Sequence, residues 1–162
     1  MAKARGQCIV HRGNKILMIK NRAPHDMTDL VMGDFLKKGT EWWCLPGGGT
    51  EEGETPEEAT IRELKEECNV EGTIVRETST YISSLRKDYC YTFLVDIGDD
   101  EPELGSDPEL ESDGQFLVDV KWVTLAEIPE RDRAFVWAAG LVGIEEFATE
   151  LISWSNVISY PH

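Results

Sequence analysis

Three glutamates stand close together in the sequence at a spacing that suits metal binding. Glu63, Glu66 and Glu67 occupy positions i, i+3 and i+4, so a helix would bring their side chains to one patch of its surface. Like charges at this spacing destabilise a helix, and a divalent cation relieves the repulsion by coordination. Mg²⁺ and Mn²⁺ prefer oxygen ligands and bridge carboxylates to substrate phosphates. The spacing therefore allows two interpretations, a solvated acidic helix face and a divalent-cation site.

A helix that carries these glutamates is predicted from Pro56 to about Cys68. Thr55 is a typical N-cap residue, proline suits the first helical position, and Glu58 completes a capping box. Acidic residues in the first turn are also favoured by the helix dipole. Apolar positions recur at i, i+3 and i+7 and predict a stripe that faces the core, formed by Ile61, Leu64 and Cys68.

The residues from Gly48 to Val70 follow the pattern G-x5-E-x7-R-E-L-x-E-E-x-N-V. This stretch resembles the Nudix box, G-x5-E-x7-R-E-U-x-E-E-x-G-U with U aliphatic, at every defined position except the second glycine, which is Asn69 here. A glycine just after a helix usually adopts the left-handed conformation, and asparagine is the residue that replaces it best. The substitution therefore leaves the carboxylates of the box intact.

The resemblance implies a fold, an activity and a set of site residues. The implied fold is α/β (α+β), a Nudix-type α/β/α sandwich with a mixed β-sheet. The implied activity is hydrolysis of the pyrophosphate linkage in a nucleoside diphosphate joined to another moiety, such as a nucleoside triphosphate, nucleotide sugar or dinucleotide, with Mg²⁺ or Mn²⁺ required. By position, Glu63, Glu66 and Glu67 match the family's metal-binding and catalytic glutamates, and the carbonyl of Gly47 matches a backbone metal ligand.

The remaining charged positions of the box, Arg62 and Glu54, match residues that mainly hold the loop and helix in shape in the family. For Arg62 we expect a structural salt bridge rather than a substrate contact. The implied mechanism is metal-assisted substitution at phosphorus. The general base is left open, because in the family it is either a box glutamate or a carboxylate on a loop elsewhere.

A second acidic segment offers candidates for that base. The segment from Asp96 to Asp113 holds nine acids and no base, and Gly48 to Val70 holds eight acids and two bases, so the two together account for the net charge of −15. Glu111 is the favoured candidate, ahead of its acidic neighbours Glu109 and Asp113, because the apolar residues around it can anchor the loop. The alternative is a solvated loop without a catalytic role. An EF-hand is not favoured, because the alternating oxygen ligands around a central glycine are missing.

Arg86 and Tyr89 are the candidates for substrate binding. They follow the box where some Nudix subfamilies carry a marker, a proline in ADP-ribose hydrolases or a tyrosine in diadenosine polyphosphate hydrolases, and residues 86 to 88 match neither. Arginine can contact a phosphate and a tyrosine ring can stack on a base. The structural alternatives are a surface turn for Arg86 and a core position for Tyr89.

The rest of the chain reads mainly as strands followed by two helices. Arg12-Gly13-Asn14 predicts a turn that pairs the two strands on either side of it. Residues 21–40 are predicted to form a long excursion with one helical turn. The other segments are strands at Glu41–Leu45, Thr73–Leu85, Tyr89–Ile97 and Gln115–Val123, with helices at Ala134–Leu141 and Glu146–Ile152.

Composition limits the classes of protein and partner. A chain of 162 residues predicts a single domain over 1–162. The net charge of −15 argues against stable binding to nucleic acid or anionic lipid. No apolar run is long enough to span a membrane and no secretory signal is visible, so a cytoplasmic location is expected. The four cysteines lie far apart among apolar neighbours and are predicted to be buried or half-buried free thiols.

Two other functions share the predicted fold. One is a non-catalytic Nudix-like module that binds a nucleotide or a protein, but such a module would have lost box glutamates and none is lost here. The other is isomerisation of a prenyl diphosphate, for which no reactive cysteine or glutamate in a matching context is found. The expected partner is a small nucleotide-type substrate, and a homodimer is left open because family members often form one.

Overall fold

The computed structural model describes residues 3–28, 35–83, 87–106 and 116–154. The helices within these ranges are Pro56–Cys68 (α1), Glu130–Ala138 (α2) and Glu145–Trp154 (α3), with short 3-10 turns at Leu125–Glu127 and Leu141–Gly143. The strands are Ala4–Ile9 (β1), His11–Arg12 (β2), Lys15–Arg22 (β3), Met27–Thr28 (β4), Phe35–Leu36 (β5), Glu41–Cys44 (β6), Gly47–Gly49 (β7), Thr73–Ile82 (β8), Tyr89–Asp96 (β9) and Leu117–Thr124 (β10).

The longer strands form two sheets. The first has the order β7-β1-β9-β8 and is mixed, because β1 runs parallel to β9 while β1–β7 and β8–β9 are antiparallel. The second is built around β3, which pairs antiparallel with β10 on one side and with β2 and β6 on the other. The mixed sheet confirms the predicted α+β class.

The two faces of the strands pack against different helices. Side chains alternate along β3, so that Ile16 and Met18 join one core cluster while Leu17 and Ile19 join the other. The cluster containing Leu17 and Ile19 also holds Leu64 and Cys68 of α1. The cluster containing Ile16 and Met18 holds Val136 of α2 together with three residues of α3, Phe147, Leu151 and Trp154. A strand buried on both faces is expected to read as a continuous apolar run, as Ile16 to Ile19 does. Helices on both sides of the sheets give the predicted α/β/α sandwich.

Helix α1 has the predicted bounds and caps. The N–H of Glu58 donates to Thr55 Oγ1 at 3.2 Å, and the N–H of Thr55 donates to Glu58 Oε2 at 2.9 Å, which completes the capping box. At the other end, Asn69 has φ 55° and ψ 33°, the left-handed conformation expected for this position. Its N–H donates to the carbonyl of Lys65 at 2.9 Å.

Several predicted boundaries and pairings are corrected. The turn predicted at Arg12-Gly13-Asn14 is present and joins His11–Arg12 to β3, and the N–H of Leu17 donates to the carbonyl of Val10 at 2.8 Å. The segment before the turn does not continue this pair, because β1 belongs to the mixed sheet. Within the excursion, β3 continues to Arg22, and β4 pairs with β5. No helical turn is found in its described part, and residues 29–34 lie outside that part.

Two further corrections concern elements with few apolar residues. The glycines of β7 form a strand that pairs with β1, although the sequence predicts only a strand end there. Helix α2 begins at Glu130, whereas the sequence predicts a start at Ala134. The prediction missed the first turn because its residues are polar. That turn contains Asp132, which is buried and accepts a hydrogen bond from the N–H of Trp43 at 2.9 Å. Because this turn is fixed by a hydrogen bond rather than by apolar packing, the sequence shows no helical spacing of apolar residues there.

The cysteines are free, as predicted. Cys8, Cys68 and Cys90 are buried and Cys44 is half-buried. Burial raises the pKa of Cys44 to about 12, so this thiol is protonated at neutral pH. No helix in the four described ranges has the length and apolar character needed to cross a bilayer.

Candidate active site

A cavity of about 540 Å³ lies where helix α1 meets the glycines of β7. One part of its wall is acidic and comes from Glu63, Glu66 and Glu67 of α1. Another part of the wall is apolar and comes from Phe116 and Leu117, near the start of β10. The remaining lining residues include Arg5, Asn21, Glu51, Arg62 and the stretch Gly47 to Thr50. The cavity therefore combines an acidic part, two arginines and an apolar wall.

The glycines of β7 let the glutamates approach the backbone closely. A side chain on Gly48 would place its Cβ 2.1 Å from Glu63 Oε1, so only glycine leaves room for that carboxylate. The N–H of Gly47 donates to Glu67 Oε1 at 2.8 Å. The Glu63 and Glu66 side chains are 18% and 26% exposed, so both carboxylates are partly withdrawn from water. The glycine at the first defined position of the box is therefore a steric requirement of the site.

Arg62 holds the acidic residues together, as predicted for a structural ion pair. Its guanidinium binds both carboxylate oxygens of Glu54, with Nε–Oε1 and Nη2–Oε2 distances of 2.8 and 3.0 Å. Nη1 donates to Glu63 at 2.9 Å and to Glu66 at 3.3 Å, and Nη2 also donates to the carbonyl of Gly49 at 3.0 Å. Because every nitrogen of this guanidinium has a partner, Arg62 is committed to holding the loop and helix.

The same contacts set the ionisation of the carboxyl groups. The hydrogen bond from Arg62 lowers the pKa of Glu54. Burial raises the pKa of Glu63, and the hydrogen bond from Arg62 opposes that rise. The arginine thus stabilises the charged forms of Glu54 and Glu63.

The donor set suits a divalent cation in chemical type. Three carboxylates and the carbonyl of Gly47 supply hard oxygen ligands, which Mg²⁺ and Mn²⁺ prefer. Among the described residues, no group of three His, Cys, Asp or Glu side chains is placed to hold an ion. The glutamates are bound instead to Arg62 and to the N–H of Gly47. The residues therefore fit the ion by donor chemistry, and ligation requires some of these contacts to be exchanged.

The other predicted site residues are placed differently. Glu111 and Arg86 lie outside the described residues, so their assignments stay predictions. Tyr89 is the first residue of β9, is 39% exposed, and has its ring centroid 6.4 Å from that of Tyr91. It is not one of the described residues that line the cavity, although its register partner on β1, Ala4, is next to Arg5.

The sequence reasoning missed a contact between the middle of the acidic segment and helix α1. Residues 103–106 lie against the last turn of α1, whose terminal carbonyls accept hydrogen bonds from backbone N–H groups of that stretch. The three donor–acceptor pairs are Glu103 to Cys68 at 2.9 Å, Gly105 to Glu67 at 2.9 Å and Ser106 to Glu66 at 3.0 Å. A Cβ on Gly105 would lie 1.8 Å from the Glu66 carbonyl oxygen, so glycine is required for this contact.

The chain is similar to curated relatives over a short segment. RNA pyrophosphohydrolase from Sphingopyxis alaskensis is 40% identical over 62 residues, which are 38% of this chain and 37% of that protein. The matching segment thus spans little more than a third of the relative.

Solved structures match over nearly the whole chain. A NUDIX hydrolase from Nitrosomonas europaea has a TM-score of 0.58 at 20% identity, covering 99% of this chain and 76% of that one. An ADP-ribose pyrophosphatase from Streptococcus suis has a TM-score of 0.57 at 14% identity, covering 99% and 98%. At these identities the likeness concerns the fold.

The similarity in fold does not by itself assign the chain to a protein family, but a match to a family model does. The model described as the NUDIX domain matches residues 3–142, and within that range Glu63, Glu66 and Glu67 of the box line one cavity. The chain therefore belongs to the NUDIX domain family.

Proposed function

We propose that the protein is a pyrophosphohydrolase that depends on Mg²⁺ or Mn²⁺ and cleaves a nucleoside diphosphate joined to another moiety. The observation that carries the proposal is that Glu63, Glu66 and Glu67 line the same cavity as the carbonyl of Gly47. These four groups would hold the cation. A bound divalent cation supplies charge neutralisation at the pyrophosphate and lowers the pKa of a water molecule.

The protein's own groups then have separate tasks. Glu67 is oriented by the Gly47 N–H, which donates to one of its carboxylate oxygens. Arg62 keeps Glu63 and Glu66 near each other before ligation. The proton of the attacking water goes to a carboxylate, for which Glu111 and the box glutamates stay the candidates.

The apolar wall supports a nucleotide rather than inorganic pyrophosphate as substrate. Phe116 and Leu117 present apolar surface to the cavity, and an aromatic ring offers a stacking face for a base. Asn21 lies in the same lining, and its amide donates to Cys44 Sγ at 3.0 Å. The names of two similar proteins, RNA pyrophosphohydrolase and ADP-ribose pyrophosphatase, also support a pyrophosphate-linked substrate. A cytoplasmic location, a single domain and a homodimer remain predictions.

The test is hydrolysis of a substrate panel with Mg²⁺ or Mn²⁺ and without metal. The panel comprises nucleoside triphosphates, ADP-ribose, dinucleotides, nucleotide sugars and a 5′-triphosphorylated RNA oligonucleotide. We expect metal-dependent release of a nucleotide or phosphate from at least one small substrate. Absence of turnover of every compound by folded protein would contradict the proposal, and cleavage of the RNA alone would correct the substrate class.

Glu67→Gln tests the assigned site. Glutamine keeps the oxygen that accepts from the Gly47 N–H but loses the charge that a cation needs, so we expect at least a ~100-fold loss of kcat with little change in Tm. Glu57→Gln is the matched control, because Glu57 is an exposed residue in the first turn of the same helix. Equal activity of the two variants would remove the metal site from the proposal.

A further inference from the structure

Arg5 lines the cavity but is not part of the Nudix box. It is in β1, where its register partners are Gly49 on β7 and Cys90 on β9. Its side chain is half-buried and lines the cavity, and Nη2 donates to the carbonyl oxygen of Gly47 at 3.1 Å. The contact joins residues 42 positions apart, so no local pattern predicts it.

Arg5 differs from Arg62 in how much of its hydrogen-bonding capacity is used. A guanidinium carries five N–H donors. Arg62 directs its nitrogens to three carboxylates and to the Gly49 carbonyl. Within the described part of the chain, Arg5 makes the one hydrogen bond to Gly47, so most of its donors remain available to a molecule in the cavity.

The charges around the cavity give those donors a specific use. A pyrophosphate entering the cavity meets the carboxylates of α1, which repel it. Arg62 is already paired with acidic groups, so it offers little free positive charge. Arg5 has no ion pair among the described residues, and a guanidinium fork matches two phosphate oxygens in geometry and charge.

We propose that Arg5 is a substrate-binding residue that contacts the phosphate oxygens of the pyrophosphate group. This inference rests on the proposed function and assigns a residue to recognition of the anion. Its hydrogen bond to the carbonyl of Gly47, one of the proposed cation ligands, places the guanidinium beside the cation site. When the carbonyl binds the cation, Arg5 would exchange this contact for phosphate oxygens. Arg5 therefore recognises the phosphate chain, while the apolar wall meets the rest of the substrate.

The experiment compares wild type with Arg5→Ala and Arg5→Lys. For the best substrate of the panel, we expect Arg5→Ala to lower kcat/KM by about 10- to 100-fold, the loss of one or two charge-assisted hydrogen bonds. Arg5→Lys should recover part of that loss, because it restores the charge without the fork. Arg76→Ala is the matched control, since Arg76 likewise donates to a glycine carbonyl, that of Gly143 at 3.0 Å, but lies outside the cavity lining.

Binding of Mn²⁺, followed by electron paramagnetic resonance without substrate, separates recognition of the anion from damage to the cation site. We expect Arg5→Ala to bind Mn²⁺ at least as tightly as wild type. Binding at least tenfold weaker would mean that Arg5 acts through the cation site and would overturn the proposal. Unchanged kcat/KM in Arg5→Ala would overturn it as well.

A calorimetric titration with Mn²⁺-pyrophosphate keeps the test independent of turnover. If wild type hydrolyses nothing, the proposed function fails, yet weaker binding of this probe by Arg5→Ala still supports anion recognition by Arg5. Equal affinity of wild type and Arg5→Ala for the probe overturns the assignment of Arg5 whether or not the protein is active.

Discussion

Replacing Arg62 by alanine should destabilise the metal-free protein strongly. The change removes two hydrogen bonds to Glu54, whose side chain is 13% exposed, and one each to Glu63 and Glu66. Hydrogen bonds to charged groups contribute about 1.5–3 kcal/mol each, and they are not additive when they share one side chain. The substitution also removes the positively charged guanidinium that binds all three carboxylates, so the repulsion among them increases. We therefore expect the free energy of unfolding to fall by about 3 kcal/mol.

Thermal and urea unfolding in the presence of a chelator measure this loss. For a chain of this length, about 3 kcal/mol corresponds to a decrease in Tm of about 6–12 °C. Arg22→Ala is the control, because Arg22 also pairs with a glutamate, Glu41, at 2.8 Å, but the two side chains are 54% and 35% exposed. An exposed pair of this kind contributes about 1 kcal/mol or less.

Repeating the measurement with Mn²⁺ tests the physical cause. A cation that binds the folded state alone stabilises it by mass action, and in Arg62→Ala it would also neutralise carboxylates that lack their arginine. We therefore expect Mn²⁺ to raise the Tm of Arg62→Ala by more than it raises that of wild type. A loss in Arg62→Ala no larger than in Arg22→Ala would refute the role of Arg62 as the centre of the acidic cluster.

Three further substitutions test other parts of the site. Glu54→Gln should cost about 1–2 kcal/mol at pH 7. Because the pKa of Glu54 is lowered in the folded state, its stabilisation is lost as the pH falls below its ordinary value of 4.5, so urea unfolding at pH 7 and pH 3 should show the difference shrinking. Gly105→Ala should lower both Tm and activity, because its Cβ would collide with the Glu66 carbonyl, whereas Gly143→Ala, with open space at its Cβ, should change neither. Asn69→Ala should lose about 1 kcal/mol in thermal unfolding and Asn69→Gly almost nothing, since the position is left-handed.

The parts of the fold predicted correctly depend on neighbours in sequence. Helix α1 has its predicted ends because Thr55 and Glu58 bond to each other's backbone and Asn69 adopts the left-handed cap. The patch formed by Glu63, Glu66 and Glu67 follows from helix geometry alone. Short-range patterns of this kind are fully present in the sequence, so the acidic half of the cavity could be predicted.

The other half of the site depends on contacts between distant residues. Strand β1 pairs with β9, and the side chain of Gln7 accordingly binds Thr92, 85 positions away. Strand β1 also pairs with β7, which places Arg5 beside Gly47. Nothing near the start of the chain indicates either partner strand, so this placement was not predicted. The apolar wall at Phe116 similarly exists because β10 pairs with β3 rather than with an element close in sequence.

Backbone hydrogen bonds anchor the connection between β9 and β10 at two of its described residues, Ser106 and Phe116. Ser106 is bonded to the last turn of α1, and the carbonyl of Phe116 accepts a hydrogen bond from the N–H of Arg22 at 2.6 Å. These two anchors lie next to the acidic part and the apolar wall of the cavity, respectively. Because both anchors are backbone hydrogen bonds, substitutions of the Ser106 and Phe116 side chains leave the donor and acceptor atoms in place. Phe116 is therefore a position at which the apolar wall of the cavity can be changed while this anchor keeps its acceptor atom.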